Sequence, residues 1–244
     1  MVISARTRPL VSAIMPTYNR DRFVRHAVEQ VLAQAWPNME VVIMDDSDPF
    51  KELHLGPKVK HVRLDRRTTV GEKHNLAFDV AQGSFLAHWD DDDVFGPRRI
   101  LVQMEPLLTS PATVSGFGVG YVLHAATGKF FRLNYRRLKV MQRPQIKAKL
   151  ARFRFHDGTA VFSREVLRHG VRYPDVTVGQ KLDFLNDLLD AGEEMSTVEN
   201  RRHFVYVRHG RNTWQFVEGK VLTPVASPRW FPKSELDFMR EVAA

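Results

Sequence analysis

Short unbroken apolar runs alternate with helical spacings along the first hundred residues. Val11-Ser12-Ala13-Ile14-Met15 is one such run, closed by Pro16, and Val41-Val42-Ile43-Met44 is a second. Short apolar runs between polar residues predict strands buried on both faces. Val59 to Leu64 predicts a weaker strand, and Phe85-Leu86-Ala87-His88-Trp89 a further one. Phe23, Val24, Ala27, Val28, Val31 and Leu32 recur at helical spacing; Asp21 stands where a cap is needed, and Trp36-Pro37-Asn38 ends the helix. Gly71-Glu72-Lys73-His74-Asn75 opens a second helix carrying Leu76, Ala77 and Val80 and closed by Gly83, and Pro97 opens a third that reaches Leu108. Strand, helix, strand, strand, helix, strand predicts an α/β fold with a mainly parallel sheet covered by helices.

The second half has a different rhythm. Gly116 to Leu123 predicts one strand, with Lys129 to Leu133 as its hairpin partner across Thr127-Gly128. Ser163 is positioned to cap a short helix after His156 to Phe162. A longer helix carries Leu182, Leu185, Leu188 and Leu189 and stops at Gly192. Phe204 to Arg208 predicts a strand, and Pro224, Pro228 and Pro232 break the chain before a last helix over Ser234 to Val242. The expected division is residues 1–110 and 111–244, two halves of a single domain.

Three of the predicted strands run into polar clusters: Thr17-Tyr18-Asn19-Arg20, Asp45-Asp46-Ser47-Asp48 and Asp90-Asp91-Asp92-Asp93. Parallel sheets bind ligands beyond the carboxyl ends of their strands, so one site can draw on all three. Four adjacent carboxylates repel one another and resist burial, and a cation relieves both problems. In extended chain Asp90 and Asp92 project to one side, placed to hold a divalent ion or its bound water. Hard oxygen ligands favour Mg²⁺ or Mn²⁺ over zinc. A solvated acidic loop is the rival reading. Neither GxGxxG nor GxxxxGK[ST] occurs, so a metal on the Asp run is the natural means of holding phosphate.

Composition narrows the classes. The 244 residues contain no cysteine, which excludes disulfides and thiolate metal sites. Met1 to Leu10 hold Arg6, Arg8 and Pro9 and no long apolar run, so neither a signal peptide nor a membrane span is expected, and the cytoplasm is the expected compartment. The formal net charge of +8 suits an anionic ligand or surface. From Lys129 to Phe155 there is no Asp or Glu, while Arg132, Arg136, Arg137, Lys139, Arg143, Lys147, Lys149, Arg152 and Arg154 alternate with aromatics. Such a segment can meet an anionic or lipid-linked acceptor, an anionic membrane or a nucleic acid, or can be a solvated basic face.

Taken together and in order, the pieces from Val11 to Arg20, Glu40 to Ser47, Gly71 to Ala77 and the Asp90 run resemble the nucleotide-sugar-binding half of a GT-A glycosyltransferase, in the large family 2 group of inverting enzymes. The resemblance implies a GT-A (Rossmann-like) mainly parallel sheet flanked by helices, with a smaller mixed acceptor-side region. It implies that Pro16, Thr17, Tyr18 and Arg20 line the nucleotide pocket, with Tyr18 near the base. Asp45 or Asp46 would accept a hydrogen bond from the base, the other capping its turn. Lys73 would stand near the nucleotide, its rival role being a solvated helix residue. Asp90 and Asp92 match the family's Asp-x-Asp, touching ribose and the metal on the diphosphate. Asp91 belongs with this nucleotide-binding set or, like Asp93, only supports the loop.

Further on, His209-Gly210-Arg211-Asn212-Thr213-Trp214 resembles a family 2 pattern whose histidine approaches the diphosphate or its metal. Asp92 and His209 would thus be the ligands of Mn²⁺ or Mg²⁺, and Trp214 a pocket cover or a core residue. In the resembling family the helix near residue 180 usually begins Gly-Glu-Asp, with a carboxylate there as general base. This sequence has Gly179-Gln180-Lys181, and neither Gln nor Lys readily serves as a carboxylate base. Asp183 is then the expected base, ahead of Asp157 and Asp187.

The resemblance implies metal-dependent, inverting transfer of a sugar from a nucleotide diphosphate sugar, UDP foremost, to a hydroxyl of a glycan or lipid-linked acceptor by single displacement. Peripheral contact with the inner face of an anionic membrane goes with such an acceptor, through the basic segment or an exposed Trp230-Phe231, and no nucleic acid is expected. Rival readings stand beside it. A sugar-nucleotide-binding module that lost its base accounts for Gln180-Lys181. A nucleotidyltransferase would carry a glycine- and basic-rich loop after the first strand, which Pro16-Thr17-Tyr18-Asn19 lacks. A nucleic-acid-binding protein would lose its ligand steeply with salt.

Overall fold

The first two apolar runs pair side by side. β1 (Val11–Thr17) and β2 (Met39–Asp45) are parallel, and β1 also pairs in parallel with β4 (Phe85–His88). The computed structural model describes residues 8–134, 144–210, 212 and 222–243. β3 (Val59–Arg63) lies parallel to β2 at one edge. Beyond β4 come β9 (Val161–Ser163), antiparallel to both its neighbours, then β6 (Val114–Phe117) and β10 (Met195–Val198). The order is β10-β6-β9-β4-β1-β2-β3, so a strand from the second half sits inside the sheet.

Alternation sends successive side chains to opposite faces. Val11, Ala13, Met15, Val41 and Ile43 pack with Val24, Val28 and Val31 of α1 (Asp21–Leu32) and Ile100 and Met104 of α3 (Arg99–Thr109). Ile14, Val42, Met44 and Leu86 pack with Ala77 and Phe78 of α2 (Val70–Val80) and with Leu182, Phe184, Leu185 and Leu188 of α5 (Gln180–Asp190). Both faces are dry, which is why these strands lack polar alternation. Burying one such aliphatic side chain stabilises the fold by roughly 1.5–3 kcal/mol. Asp21 is not the cap of α1: the helix begins at it, where the positive end of the helix dipole favours a carboxylate. α2 takes its cap from Thr69, whose hydroxyl accepts the Glu72 N–H at 3.1 Å.

A second sheet has the order β12 (Thr223–Val225), β8 (Lys129–Asn134), β7 (Val119–His124), β11 (Phe204–Arg208) and β5 (Val94–Phe95), and α6 (Lys233–Ala243) packs on it through Met239 and Val242. The stretch expected as one strand from Gly116 to Leu123 divides at Gly118. β6 stays in the first sheet and β7 joins the second, so the chain changes sheets there. The hairpin across Thr127-Gly128 forms, with Gly128 at φ +66°, a value glycine adopts without a Cβ penalty. Ser163 caps a 3-10 segment, Arg164–His169, rather than an α-helix.

Parts of the two expected contact surfaces make contacts within the fold. Phe231 is buried against Phe130, ring centroids 5.1 Å apart, and Trp230 packs on Tyr121 at 5.5 Å, so this pair belongs to the second sheet's core. In α4 (Pro144–Phe153), Lys149 pairs with Asp183, and Arg152 meets Asp190 at 2.5 Å. These two cations of the basic segment are thus met by carboxylates of α5. Arg136, Arg137, Lys139 and Arg143 lie outside the described residues, as does Trp214.

Candidate active site at the strand ends

The three polar clusters meet. Thr17 Oγ1 donates to Asp91 Oδ2 at 2.6 Å, and Arg20 Nη1 donates to Asp91 Oδ1 at 2.8 Å and Asp92 Oδ2 at 2.9 Å. Lys73 Nζ donates to the Thr17 carbonyl at 2.6 Å and to Asp46 Oδ1 at 2.5 Å. The Asn19 N–H donates to Ser47 Oγ at 2.7 Å. Asn19 has φ +51°, in the left-handed region that asparagine tolerates, and so turns the chain between Tyr18 and Arg20 just past Pro16 and Thr17.

The Asp run is buried, and it is not extended. Asp91, Asp92 and Asp93 are 2%, 7% and 0% exposed, which overturns the solvated-loop reading. After Trp89 the chain leaves strand geometry and turns at Asp91 and Asp92, so the side-to-side alternation of extended backbone does not govern Asp90 and Asp92. The donors come from several elements, and Arg20 serves both Asp91 and Asp92. Asp90 Oδ1 pairs with Lys181. Asp91 is held by Thr17 and Arg20. Asp92 Oδ2 also meets His209 Nε2 at 3.1 Å and Asn212 Nδ2 at 3.2 Å. Asp93 Oδ1 accepts the Val207 N–H at 2.9 Å, and its Oδ2 has no partner among the described residues. Meeting four like charges with Lys181, Arg20, Thr17, His209, Asn212 and the Val207 N–H offsets their mutual repulsion.

Burial sorts these groups. It raises Asp93 well above the usual carboxylate range, with Asp92 and Asp90 adding to the rise. Burial also raises Asp91 against the opposing charge of Arg20. For Asp92 the upward push of burial is outweighed by the His209 hydrogen bond and the Arg20 charge, so it lies below its ordinary value. Arg20 is raised, the loss of solvent being more than offset by Asp91 and Asp92.

On the other flank, Asp45 and Asp46 divide their work. Asp45 Oδ1 accepts the Ser47 N–H at 2.8 Å, and His61 Nε2 lies 2.9 Å from Oδ2, a turn-holding arrangement. Burial pushes Asp45 up, but the His61 and Ser47 bonds prevail and lower it. Asp46 faces Lys73, Arg67 Nη1 at 2.6 Å and the Thr68 N–H at 2.8 Å. Lys73 is buried, not a solvated helix residue, and burial lowers its pKa despite Asp46. Tyr18 is 38% exposed, and Arg67 Cζ lies 3.4 Å from its ring centroid. Arg67 carries no motif, and sequence reasoning missed it.

The structure does not bring Asp183 to this cluster. Lys181, in the first turn of α5, reaches Asp90, and Asp183 two residues on is about 200° further round the helix. It turns instead to α4 and Lys149. Asp157 lies beside the run: a Cβ on the next residue, Gly158, would fall 3.2 Å from Asp90 Oδ2. Beneath the run lies the fully buried Arg99, which donates to the His88 carbonyl at 2.7 Å and stacks under Trp89 and Phe95. Burial brings Arg99 down to about 9.

A divalent ion fits this donor set in one way. Among the described residues no three His, Cys, Asp or Glu side chains gather as a metal site, but Asp92 and His209 offer one carboxylate and one imidazole side by side. Mg²⁺ and Mn²⁺ accept such partial sets when phosphate oxygens and water complete the shell. His209 stacks on Phe23, ring centroids 5.1 Å apart. Among the described residues no helix is long and apolar enough to cross a membrane.

The family model "Glycosyl transferase family 2" matches residues 12–171. A putative colanic acid biosynthesis glycosyl transferase, WcaA of Escherichia coli (strain K12), is 32% identical over 104 residues, 40% of this chain and 37% of that protein. The UDP-Glc:alpha-D-GlcNAc-diphosphoundecaprenol beta-1,3-glucosyltransferase WfgD of Escherichia coli is 29% identical over 104 residues, 41% of each chain. The matched stretch thus spans less than half the length of these two relatives. A mannosyltransferase from Pyrobaculum calidifontis, solved with GDP-Man and Mn²⁺, superimposes with a TM-score of 0.58 at 19% identity, covering 84% of this chain and 58% of that one. That likeness shows the fold, a GT-A arrangement of a helix-flanked sheet.

Proposed function

This chain belongs to glycosyl transferase family 2, and from that premise we propose that it moves a glycosyl group from a nucleotide diphosphate sugar to an acceptor hydroxyl with inversion. The observation that carries the reading is the meeting of Thr17, Arg20, Asp46, Lys73 and the Asp run beyond the carboxyl ends of β1, β2 and β4. That crevice is where parallel sheets take their ligands. Tyr18 and Asp46 face the base, Asp90 the ribose, and Pro16 and Thr17 form the floor, with Asp45 and Asp91 bracing it. Asp92 and His209 would hold Mn²⁺ or Mg²⁺, which when bound offsets charge on the departing diphosphate. Sugar-nucleotide use is supported by the GDP-Man in the mannosyltransferase structure and by the UDP-Glc donor in the name of WfgD.

For the base, Asp157 takes precedence over Asp183. Its segment borders Asp90 through Gly158, whereas Asp183 is paired with Lys149 of α4. By analogy with WfgD the acceptor is a glycan on a lipid diphosphate, which would bring the chain to a membrane surface. A second reading, a sugar-nucleotide-binding module without turnover, is favoured by Lys181 where the resemblance calls for a carboxylate.

The test is a thermal-shift panel of UDP, GDP, dTDP and CDP with Mn²⁺, Mg²⁺ or chelator, on wild type and Asp92→Ala. A ligand that binds only the folded state raises its melting temperature by mass action. One nucleotide stabilising the wild type, with its metal-dependent increment lost in Asp92→Ala, is the expected result. No shift with any nucleotide would end the donor-site reading.

A further inference from the structure

Lys181 is a buried cation with capacity left over. Its side chain is 8% exposed, and among the described residues its ammonium has one hydrogen-bond partner, Asp90 Oδ1. An ammonium carries three N–H donors, so two are uncommitted. A buried charge held by a single carboxylate is costly unless its remaining donors are met. The other lysine of the crevice is already occupied: Lys73 is shared between the Thr17 carbonyl and Asp46. Arg20 bridges Asp91 and Asp92. The Lys181–Asp90 pair opens outward on the Asp90 side, whose side chain is 26% exposed. An anion arriving at the strand ends therefore meets a fixed positive charge that has donors to give.

We propose that Lys181 is a resident cation for the donor's diphosphate, so that the site holds a nucleoside diphosphate without any divalent metal. The inference rests on the donor-site reading above and deepens it. A lysine is a point charge suited to phosphate oxygens, and charge-assisted bonds of this kind are about twice as strong as neutral ones. Asp90 then acts as the tether that aims Lys181 from α5 across to the run. Metal on Asp92 and His209 adds to this binding and does not decide it.

The experiment is isothermal titration of UDP and GDP, with UMP and GMP as controls, in EDTA and in Mn²⁺. The proteins are wild type, Lys181→Met, Lys181→Gln and Lys181→Arg, each first shown to melt cooperatively. In EDTA the wild type should bind one diphosphate more tightly than its monophosphate. The two neutral variants should lose roughly tenfold or more of that affinity, as expected for one charged hydrogen bond, while Lys181→Arg keeps most of it. In Mn²⁺ the neutral variants should still bind. Wild-type binding that requires Mn²⁺, or neutral variants that match the wild type in EDTA, would overturn the inference and leave the donor site standing. Absence of binding in both buffers would remove the donor-site reading itself and the inference with it.

Discussion

Arg67 covers Tyr18: its guanidinium carbon lies 3.4 Å from the ring centroid while its Nη1 donates to Asp46. One side chain thus joins the exposed ring after β1 to the buried carboxylate after β2. A cation over an exposed ring is worth about 0.5–1 kcal/mol. Arg67→Ala should therefore cost about 1 kcal/mol in urea denaturation, because Asp46 keeps Lys73 and the Thr68 N–H. Nucleotide affinity by titration should fall severalfold as Tyr18 loses the group that orients it. Unchanged affinity would remove Arg67 from the base pocket.

Asp46 and Lys73 should be far less tolerant. Asp46→Ala leaves the Lys73 ammonium buried beside a single carbonyl, and breaking a buried pair in this way costs about 3–5 kcal/mol. The double variant Asp46→Leu with Lys73→Met should recover much of that stability, since neither charge then remains to be solvated. Equilibrium unfolding of the three proteins checks this; a double variant no better than Asp46→Ala would contradict it.

Asp157→Asn and Asp183→Asn separate the two candidate bases. The first should lower kcat by about 100-fold or more, the usual contribution of a general base. The second breaks only an exposed pair with Lys149, worth less than about 1 kcal/mol, and should leave turnover near wild type. Loss of turnover in a folded Asp183→Asn protein would reverse the assignment.

Acid should weaken the fold early. Burial holds His74 down to about 3 and His88 well below its ordinary value. An unfolded histidine titrates near 6.5. With the folded pKa the lower one, the unfolded chain takes up protons first. The stability these groups confer is full above about 6.5 and is lost as pH falls below it, for His74 until about 3. Each histidine contributes a slope of up to about 1.4 kcal/mol per pH unit. Urea midpoints measured from pH 7.5 to 5 should fall, and His74→Leu should flatten the curve by one proton. A midpoint constant over that range would contradict the burial of these rings.

Much of the crevice was legible because it depends on local pattern. The strands could be read from their apolar runs since both faces are dry, and the polar clusters could be read as strand ends for the same reason. What stayed hidden depends on phase and distance. The turn in the Asp run is set by partners at 20, 181 and 209, none near it in sequence. Helical spacing does say that residues 181 and 183 face nearly opposite ways, but not which of them looks at the run. The change of sheet at Gly118 falls among alternating glycines, Gly116, Gly118 and Gly120, which mark the stretch as pliable without saying which of them bends it.

β9, three residues drawn from beyond position 160, fills the gap between β4 and β6. The sheet begun by residues 1–110 is thus completed by chain from residues 111–244. A chimera spliced at residue 110 would inherit a sheet with an unpaired edge where Leu86 and Phe162 now meet, open to pairing with other chains. The two stretches of chain therefore share one sheet and do not separate as modules.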